Sequence, residues 1–263
     1  YNLILAVIQA RIDSSRLPGK VLFDILGEST IWRIYERLKF CKYIDRICIS
    51  TSNEPSDDLI ADLAKEKKID IFRGSQENLV SRHLSAAKKF NADVIVRITA
   101  DCPFVDPMII DKLILMYKKN QNIDFFSNTF PRTYPTGLDV ELIPIKTLEK
   151  LLPISENEEF FEYFISLYIY EHFEEFTHKG LTYEGLKLED PNSFRWTMDY
   201  EEDYTLVKEV FSALYNSEKP FLMKDILSLI EKNPHLATIN SMHNLQASHL
   251  KYEKDEGRKI NHG

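Results

Sequence analysis

The stretch Ala10-Arg11-Ile12-Asp13-Ser14-Ser15-Arg16-Leu17-Pro18-Gly19-Lys20 sets three cations, two serine hydroxyls and a Pro-Gly bend side by side. It follows an apolar run, Leu3 to Ile8, of the kind that forms a buried parallel strand. In an open α/β sheet, ligands sit at the carboxyl ends of the strands. Ala10, Arg11, Ser14, Arg16, Gly19 and Lys20 therefore stand where a multiply charged anion such as a triphosphate would bind. Arg11 and Lys20 are the candidates for meeting charge that develops during a reaction. Scattered cations alone would read equally well as a solvated basic loop. Hydroxyls and a Pro-Gly bend directly after a buried strand favour the anion site.

Asp101 lies just past the apolar run Asp93–Thr99, and so at the same edge of a sheet. A carboxylate there is a natural Mg²⁺ ligand, because magnesium takes hard oxygen donors and often only one or two protein carboxylates. It suits a turn or helix cap equally, since Pro103 and Pro107 follow. Asp199, after Trp196-Thr197-Met198, repeats the pattern, although capping the helix that begins at Glu201 is the simpler explanation from the residues alone. The two aspartates could share one metal only if they meet, which sequence spacing does not decide. Arg73-Gly74-Ser75, after Ile69–Phe72, could offer N–H groups and a guanidinium to a base or phosphate, or be an ordinary turn. Gly137-Leu138-Asp139-Val140-Glu141 sets Asp139 and Glu141 on one face of a strand. They could bind the hydroxyls of a sugar-like acceptor or simply face solvent, and Arg132 and Tyr134 in the preceding irregular segment could contribute. The seven histidines show no metal-ligand spacing and read as surface residues.

The elements that must position these residues alternate. Strands are expected at Leu3–Ala10, Arg46–Thr51, Asp70–Phe72 and Asp93–Thr99. Between them fall helices at Thr30–Cys41, Leu59–Lys68 with Ser56-Asp57-Asp58 as its cap, Glu77–Phe90, and Met108–Asn120 opened by Pro107. This βαβα succession predicts a parallel sheet covered by helices on both faces. The rhythm then changes. Ile123–Ser127, Leu138–Ile143 and Phe194–Met198 read as strands, and Phe160–Phe173, Glu201–Leu214 and Met223–Glu231 as helices. We read residues 1–235 as a single domain and residues 236–263 as an irregular C-terminal extension.

Composition sets limits. A chain of 263 residues can bury a core without disulfides or structural metal, and its three cysteines show no paired spacing. Cys48, in an apolar run, reads as a buried free thiol, which fits a reducing compartment. A net charge of −8 argues against nucleic-acid binding, and no stretch is long enough to span a bilayer, so a cytoplasmic protein without membrane contact is expected. No G-x-G-x-x-G, Walker loop or G-x-S-x-G is present, which removes dinucleotide, P-loop and hydrolase-elbow readings.

Taken together the motifs resemble the cytidylyltransferase family that includes the CMP-Kdo and CMP-sialic acid synthetases, and within it the spore coat polysaccharide biosynthesis branch. The resemblance is carried by IQARIDSSRLPGKVL (8–22), TSNEPSDDLI (51–60), FRGSQENLVSRH (72–83), ADVIVRITADCPFVDP (92–107), Arg132-Thr133-Tyr134-Pro135 with Gly137–Glu141, and RWTMDYEEDYTLV (195–207). It implies a three-layer α/β/α sandwich with a mostly parallel mixed sheet, of the nucleotide-diphospho-sugar transferase type. It implies transfer of CMP from CTP to a sugar-like acceptor with release of pyrophosphate, in polysaccharide or glycan biosynthesis. Arg11, Arg16 and Lys20 would match the family's triphosphate cations, Arg73, Gly74 and Ser75 its nucleotide-recognition segment, and Asp101 and Asp199 its Mg²⁺ ligands. It also implies a homodimer formed through a segment late in the chain, for which Phe160–Phe173 is suited, although the stretch suits a core helix equally.

One departure stands out. Related sequences carry Glu-His-Val-Thr before an Ile-Tyr-x-His ending, whereas here Glu162-Tyr163-Phe164-Ile165-Ser166 precedes Ile169-Tyr170-Glu171-His172, without the first histidine. That points to altered acceptor specificity or lost activity. Two other classes stay open on the residues: a glycosyltransferase of related fold using a nucleotide-sugar donor, and a non-catalytic nucleotide-binding relative. The first usually shows Asp-x-Asp, and Asp101-Cys102-Pro103 lacks the second carboxylate.

Overall fold

The computed structural model describes residues 2–156, 164–184 and 194–243. Strand β1 (Ile4–Gln9) is buried along its whole length. A short ribbon of β2 (Asp24–Ile25) and β3 (Glu28–Ser29) follows it. β4 (Arg46–Ser52) and β6 (Val94–Thr99) flank β1 in parallel, and β5 (Asp70–Gly74) extends the parallel half beyond β4. β8 (Glu141–Pro144) runs antiparallel to β6, β7 (Phe125–Ser127) antiparallel to β8, and β9 (His178–Gly180) parallel to β7. The described residues thus form a seven-stranded mixed sheet in the order β5-β4-β1-β6-β8-β7-β9.

The pleat of β1 divides the core into two layers. Ile4, Ala6 and Ile8 pack with α1 (Thr30–Leu38), α2 (Asp58–Lys67), α4 (Pro107–Lys119), α7 (Glu201–Leu214) and α8 (Met223–Lys232). Leu5 and Val7 point the other way, to α3 (Leu79–Lys89), α5 (Ile145–Ser155) and α6 (Phe164–Glu171). Full burial of each branched aliphatic contributes about 1.5–3 kcal/mol. Register sets the working edge: Gln9 pairs with Ser50 of β4 and with Thr99 of β6. The loops after β1, β4 and β6 therefore leave the sheet at one level.

Several expected elements differ, each for a physical reason. The strand expected at Leu138–Ile143 begins only at Glu141, because the Asn128 side chain takes the polar groups of its first residues, donating to the Leu138 carbonyl and accepting from the Val140 N–H. The strand expected at Phe194–Met198 reduces to one isolated bridge between Arg195 and Thr136. Asp57 does not cap α2 with its side chain, which is turned to the strand ends instead. His83 is fully buried rather than superficial. At the start of the C-terminal extension Leu236 lies in the core and Asn240 is buried. Residues 160–163 of the aromatic helix, the position of the absent histidine at Tyr163, and residues 244–263 lie outside the described residues. Cys41, Cys48 and Cys102 are free thiols. Among the described residues no helix is long and apolar enough to cross a membrane.

Candidate active site

The loop after β1 is held at both ends. The Ala10 N–H donates to Ser50 O, continuing the β1–β4 ladder by one residue, and the Ile12 N–H donates to Asp57 Oδ1 at 2.8 Å. Asp57 is 1 % exposed and also accepts from Thr51 Oγ1, Ser52 N and Ser52 Oγ. Burial alone would raise its pKa, yet these donors hold it below the ordinary carboxylate value. The loop then turns back, with the Gly19 N–H donating to Ile12 O. Gly19 sits at φ +74°, the left-handed region that a glycine enters without a Cβ penalty. Lys20 opens a short 3₁₀ turn, and its carbonyl accepts from Thr30 Oγ1. Arg11, Ser14, Arg16 and Lys20 line a cleft of about 580 Å³, measured out to its open mouth, whose far wall is Thr99, Ala100 and Asp101.

Tertiary structure brings the two aspartates together. The Met198 N–H donates to the Asp101 carbonyl at 2.8 Å, joining the segment that carries Asp199 to the end of β6. This close approach depends on Gly137, at φ +99°, where a Cβ would lie 2.3 Å from the Trp196 carbonyl carbon. The Lys20 ammonium stands between the carboxylates, 3.1 Å from Asp101 Oδ2 and 2.7 Å from Asp199 Oδ1. Arg16 adds a contact of 2.9 Å to Asp199 Oδ1, and Arg195 one of 2.7 Å to Asp199 Oδ2. Burial disfavours the charge on Lys20, but Asp101 and Asp199 outweigh it and raise its pKa above the ordinary lysine value. Burial would likewise raise Asp101, and the Lys20 ammonium overrides it, holding that carboxyl well below its usual range. Lys20 and Asp101 are therefore both charged at neutral pH.

Among the described residues no three His, Cys, Asp or Glu side chains converge as a metal cage. Asp101 and Asp199 already share one cation, Lys20, and a two-carboxylate donor set fits Mg²⁺ that takes its remaining oxygens from phosphates and water.

The residues expected to meet an acceptor are placed unevenly. Arg132 grips Asp139 through two hydrogen bonds of 2.8 and 3.0 Å. Glu141 is held by Arg97 at 2.7 Å, and Arg97 Nε donates to Gln9 Oε1, on the wall of the cleft. Tyr134 does not fit a contact role: it is 2 % exposed, in the apolar core against Tyr183. Arg73, Gly74 and Ser75 fall on the edge strand β5 or just after it, outside the cleft's lining. The Arg73 guanidinium braces the β4 end, donating to Ser52 O, Glu54 O and Asp58.

Sequence reasoning misses Asp57, Arg97, Arg195 and Asp203. Arg97 had a signal, a charge in the middle of the apolar run VIVRIT. Arg195, Asp199 and Asp203 recur every four residues and lock onto one another, with Arg195 Nε 3.0 Å from Asp203 Oδ1.

Comparison with known proteins follows the same lines. Spore coat polysaccharide biosynthesis protein SpsF of Bacillus subtilis is 30% identical over 247 residues, covering 90% of this chain and 98% of its own. The solved structure of a cytidylyltransferase from Leptospira borgpetersenii superposes with a TM-score of 0.81 at 34% identity, over 90% of this chain and 97% of that one. A CMP:2-keto-3-deoxy-manno-octonic acid synthetase solved in complex with CTP, 15% identical, shares the fold at a TM-score of 0.60, over 80% of this chain and 99% of that one. The fold is thus the three-layer nucleotide-diphospho-sugar transferase type. The family model described as Cytidylyltransferase matches residues 5–241, and this chain belongs to that family of nucleotidyltransferases.

Proposed function

We propose that the cleft binds CTP with Mg²⁺ and transfers CMP to a hydroxyl of a sugar-like acceptor, releasing pyrophosphate, in polysaccharide or glycan biosynthesis. The observation that carries this reading is Lys20, held between Asp101 and Asp199 at the carboxyl end of the parallel strands. A lysine parked on two carboxylates is a cation kept in place for exchange. When the triphosphate enters, Lys20 and Arg16 trade aspartate oxygens for phosphate oxygens, and Asp101 and Asp199 become the ligands that would hold the Mg²⁺. Bound there, the metal would neutralise phosphate charge and lower the pKa of an oxygen it touches.

The acceptor oxygen forms a bond to the α-phosphorus, the bond to the β-phosphate bridge oxygen breaks, and the acceptor proton leaves to solvent or base. Charge spreads over the phosphoryl oxygens in the transition state, so catalysis is positioning plus electrostatics. Arg11 and Lys20 supply the protein's part of it. Ala10, Ser14 and Gly19 shape the phosphate loop, and Arg73, Gly74 and Ser75 border the nucleotide end. Arg132, Asp139 and Glu141 border the acceptor end, with Arg132 paired to Asp139 and Glu141 to Arg97. A homodimer belongs to the same reading: Phe130, Tyr170, Phe173 and His178 cluster beside β9, at the edge of the sheet.

The test is a thermal-shift panel with Mg²⁺ and CTP, UTP, GTP, ATP or UDP-glucose, followed by a pyrophosphate-release assay with candidate sugars. A ligand at 100 times its Kd stabilises the native state by about 2.7 kcal/mol. Selective Mg²⁺-dependent stabilisation by CTP is expected. Stabilisation by UDP-glucose alone, with nucleoside diphosphate as product, would replace this reading with a glycosyltransferase.

A further inference from the structure

The last described residues of the chain reach Arg195 and Asp203, the two residues that hold Asp199. Asn240, 2 % exposed, follows a turn at Pro234–Thr238 that packs Leu236 into the core. Its Nδ2 donates to Asp203 Oδ1 at 2.8 Å and to the Arg195 carbonyl at 2.7 Å. Both partners are acceptors, so the amide group must face them with its NH₂ and supply two donors at once. Asp203, 1 % exposed, spends its other oxygen on the backbone N–H groups of Asp199 (2.8 Å) and Tyr200 (2.9 Å). Arg195 donates Nε to Asp203 Oδ1 at 3.0 Å and shares Nη2 between Asp199 Oδ2 at 2.7 Å and Asp203 Oδ2 at 3.2 Å. The backbone and one side-chain oxygen of Asp199 are therefore fixed by two residues, and Asn240 bonds to both. The same turn is closed by His243, whose ring stacks on Tyr200 at 3.9 Å and 6° and meets Glu202 at 2.9 Å.

We propose that Asn240 is a positioning residue for Asp199. The inference rests on the role given to Asp199 above. Its physical basis is competition for Arg195. Without the amide donors, Asp203 draws the guanidinium onto itself, and Asp199 loses its Oδ2 partner. Asp199 then leans on Lys20 and Arg16, the two cations that must be released to the phosphates. Removing an outer partner of a metal-ligating carboxylate typically costs 10–100-fold in metal affinity or activity.

The experiment compares full-length Asn240→Ala, Asp199→Asn and the double variant, with Thr238→Ala as a control in the same turn that touches none of these groups. Two quantities are read: the Mg²⁺ concentration that half-saturates thermal stabilisation by CTP, and kcat for pyrophosphate release. Asn240→Ala is expected to raise the first and lower the second by about 10–100-fold, while Thr238→Ala matches wild type. In the Asp199→Asn background, Asn240→Ala should change residual turnover by no more than about twofold, because a residue acting through Asp199 has nothing left to position. Wild-type behaviour of Asn240→Ala, or an equal loss in both backgrounds, overturns the proposal, the latter marking a merely structural role. Full activity of Asp199→Asn would instead bring down the reading of the site itself. If alanine unfolds the chain, Asn240→Ser, which keeps one donor, is judged by the same two criteria.

Discussion

Replacing Lys20 by methionine removes one ammonium group and keeps the length of the side chain. Lys20 is 8 % exposed and contacts two carboxylates at 2.7 and 3.1 Å. Breaking a buried ion pair by deleting one partner costs about 3–5 kcal/mol. Here the cost is smaller, because Arg16 and Arg195 remain on Asp199 and the Asp101 side chain is 27 % exposed. About 3 kcal/mol at most is expected, which corresponds to a fall in Tm of roughly 6–12 °C. Two facing carboxylates without their lysine form a better divalent-cation site than the native pair. Mg²⁺ alone should therefore restore part of the lost Tm in Lys20→Met and leave the wild type almost unmoved. Turnover should fall by about 10²–10³-fold, as for removal of one group that stabilises transition-state charge. Differential scanning fluorimetry with and without Mg²⁺, alongside steady-state pyrophosphate release, reads all of this. Turnover near wild type in the folded variant would refute the role given to Lys20. A Tm indifferent to Mg²⁺ would refute the claim that the two carboxylates can hold the metal.

Two further outcomes are expected. Gly137→Ala forces a Cβ to within 2.3 Å of the Trp196 carbonyl carbon at a φ of +99°. It should cost about 3 kcal/mol or more and displace Asp199, so chemical denaturation and turnover fall together; unchanged turnover in a stable variant would mean that Gly137 does not seat the 195–199 segment. Asp57→Asn sets an amide against N–H and O–H donors and should destabilise by about 2 kcal/mol, loosening the loop at Ile12. Because the folded pKa of Asp57 lies below its unfolded value, its stabilisation is fully present above the unfolded pKa of about 3.9 and is lost as pH falls through the folded one. The stability difference between wild type and variant should be flat above about pH 5 and shrink below about pH 4; a difference constant down to pH 2 would show that the charge of Asp57 is immaterial.

The amino-acid order by itself determined what depends on neighbours along the chain. The all-apolar β1, the alternation of strands and helices, the Pro18-Gly19 bend and the clustering of cations after the first strand are local, because pleat, helical period and turn geometry act over a few residues. The helix Glu201–Leu214 stands with the bounds its periodicity predicts. What only the tertiary structure decided is where distant residues meet. Asp57 looks like a helix cap, since Asp before a helix normally caps it, yet its carboxylate serves Ile12 and β4 because the sheet brings those donors nearer. Leu138–Val140 alternates like a strand, but the Asn128 side chain takes its polar groups first. Tyr134 is polar at its tip only, and the core claims its ring. Asp101 and Asp199 are far apart in sequence and become one site through Gly137 and the Met198–Asp101 bond, a contact between segments that no spacing rule contains. Asn240 belongs to the same class, a residue in a polar stretch whose partners exist only once the chain has closed on itself.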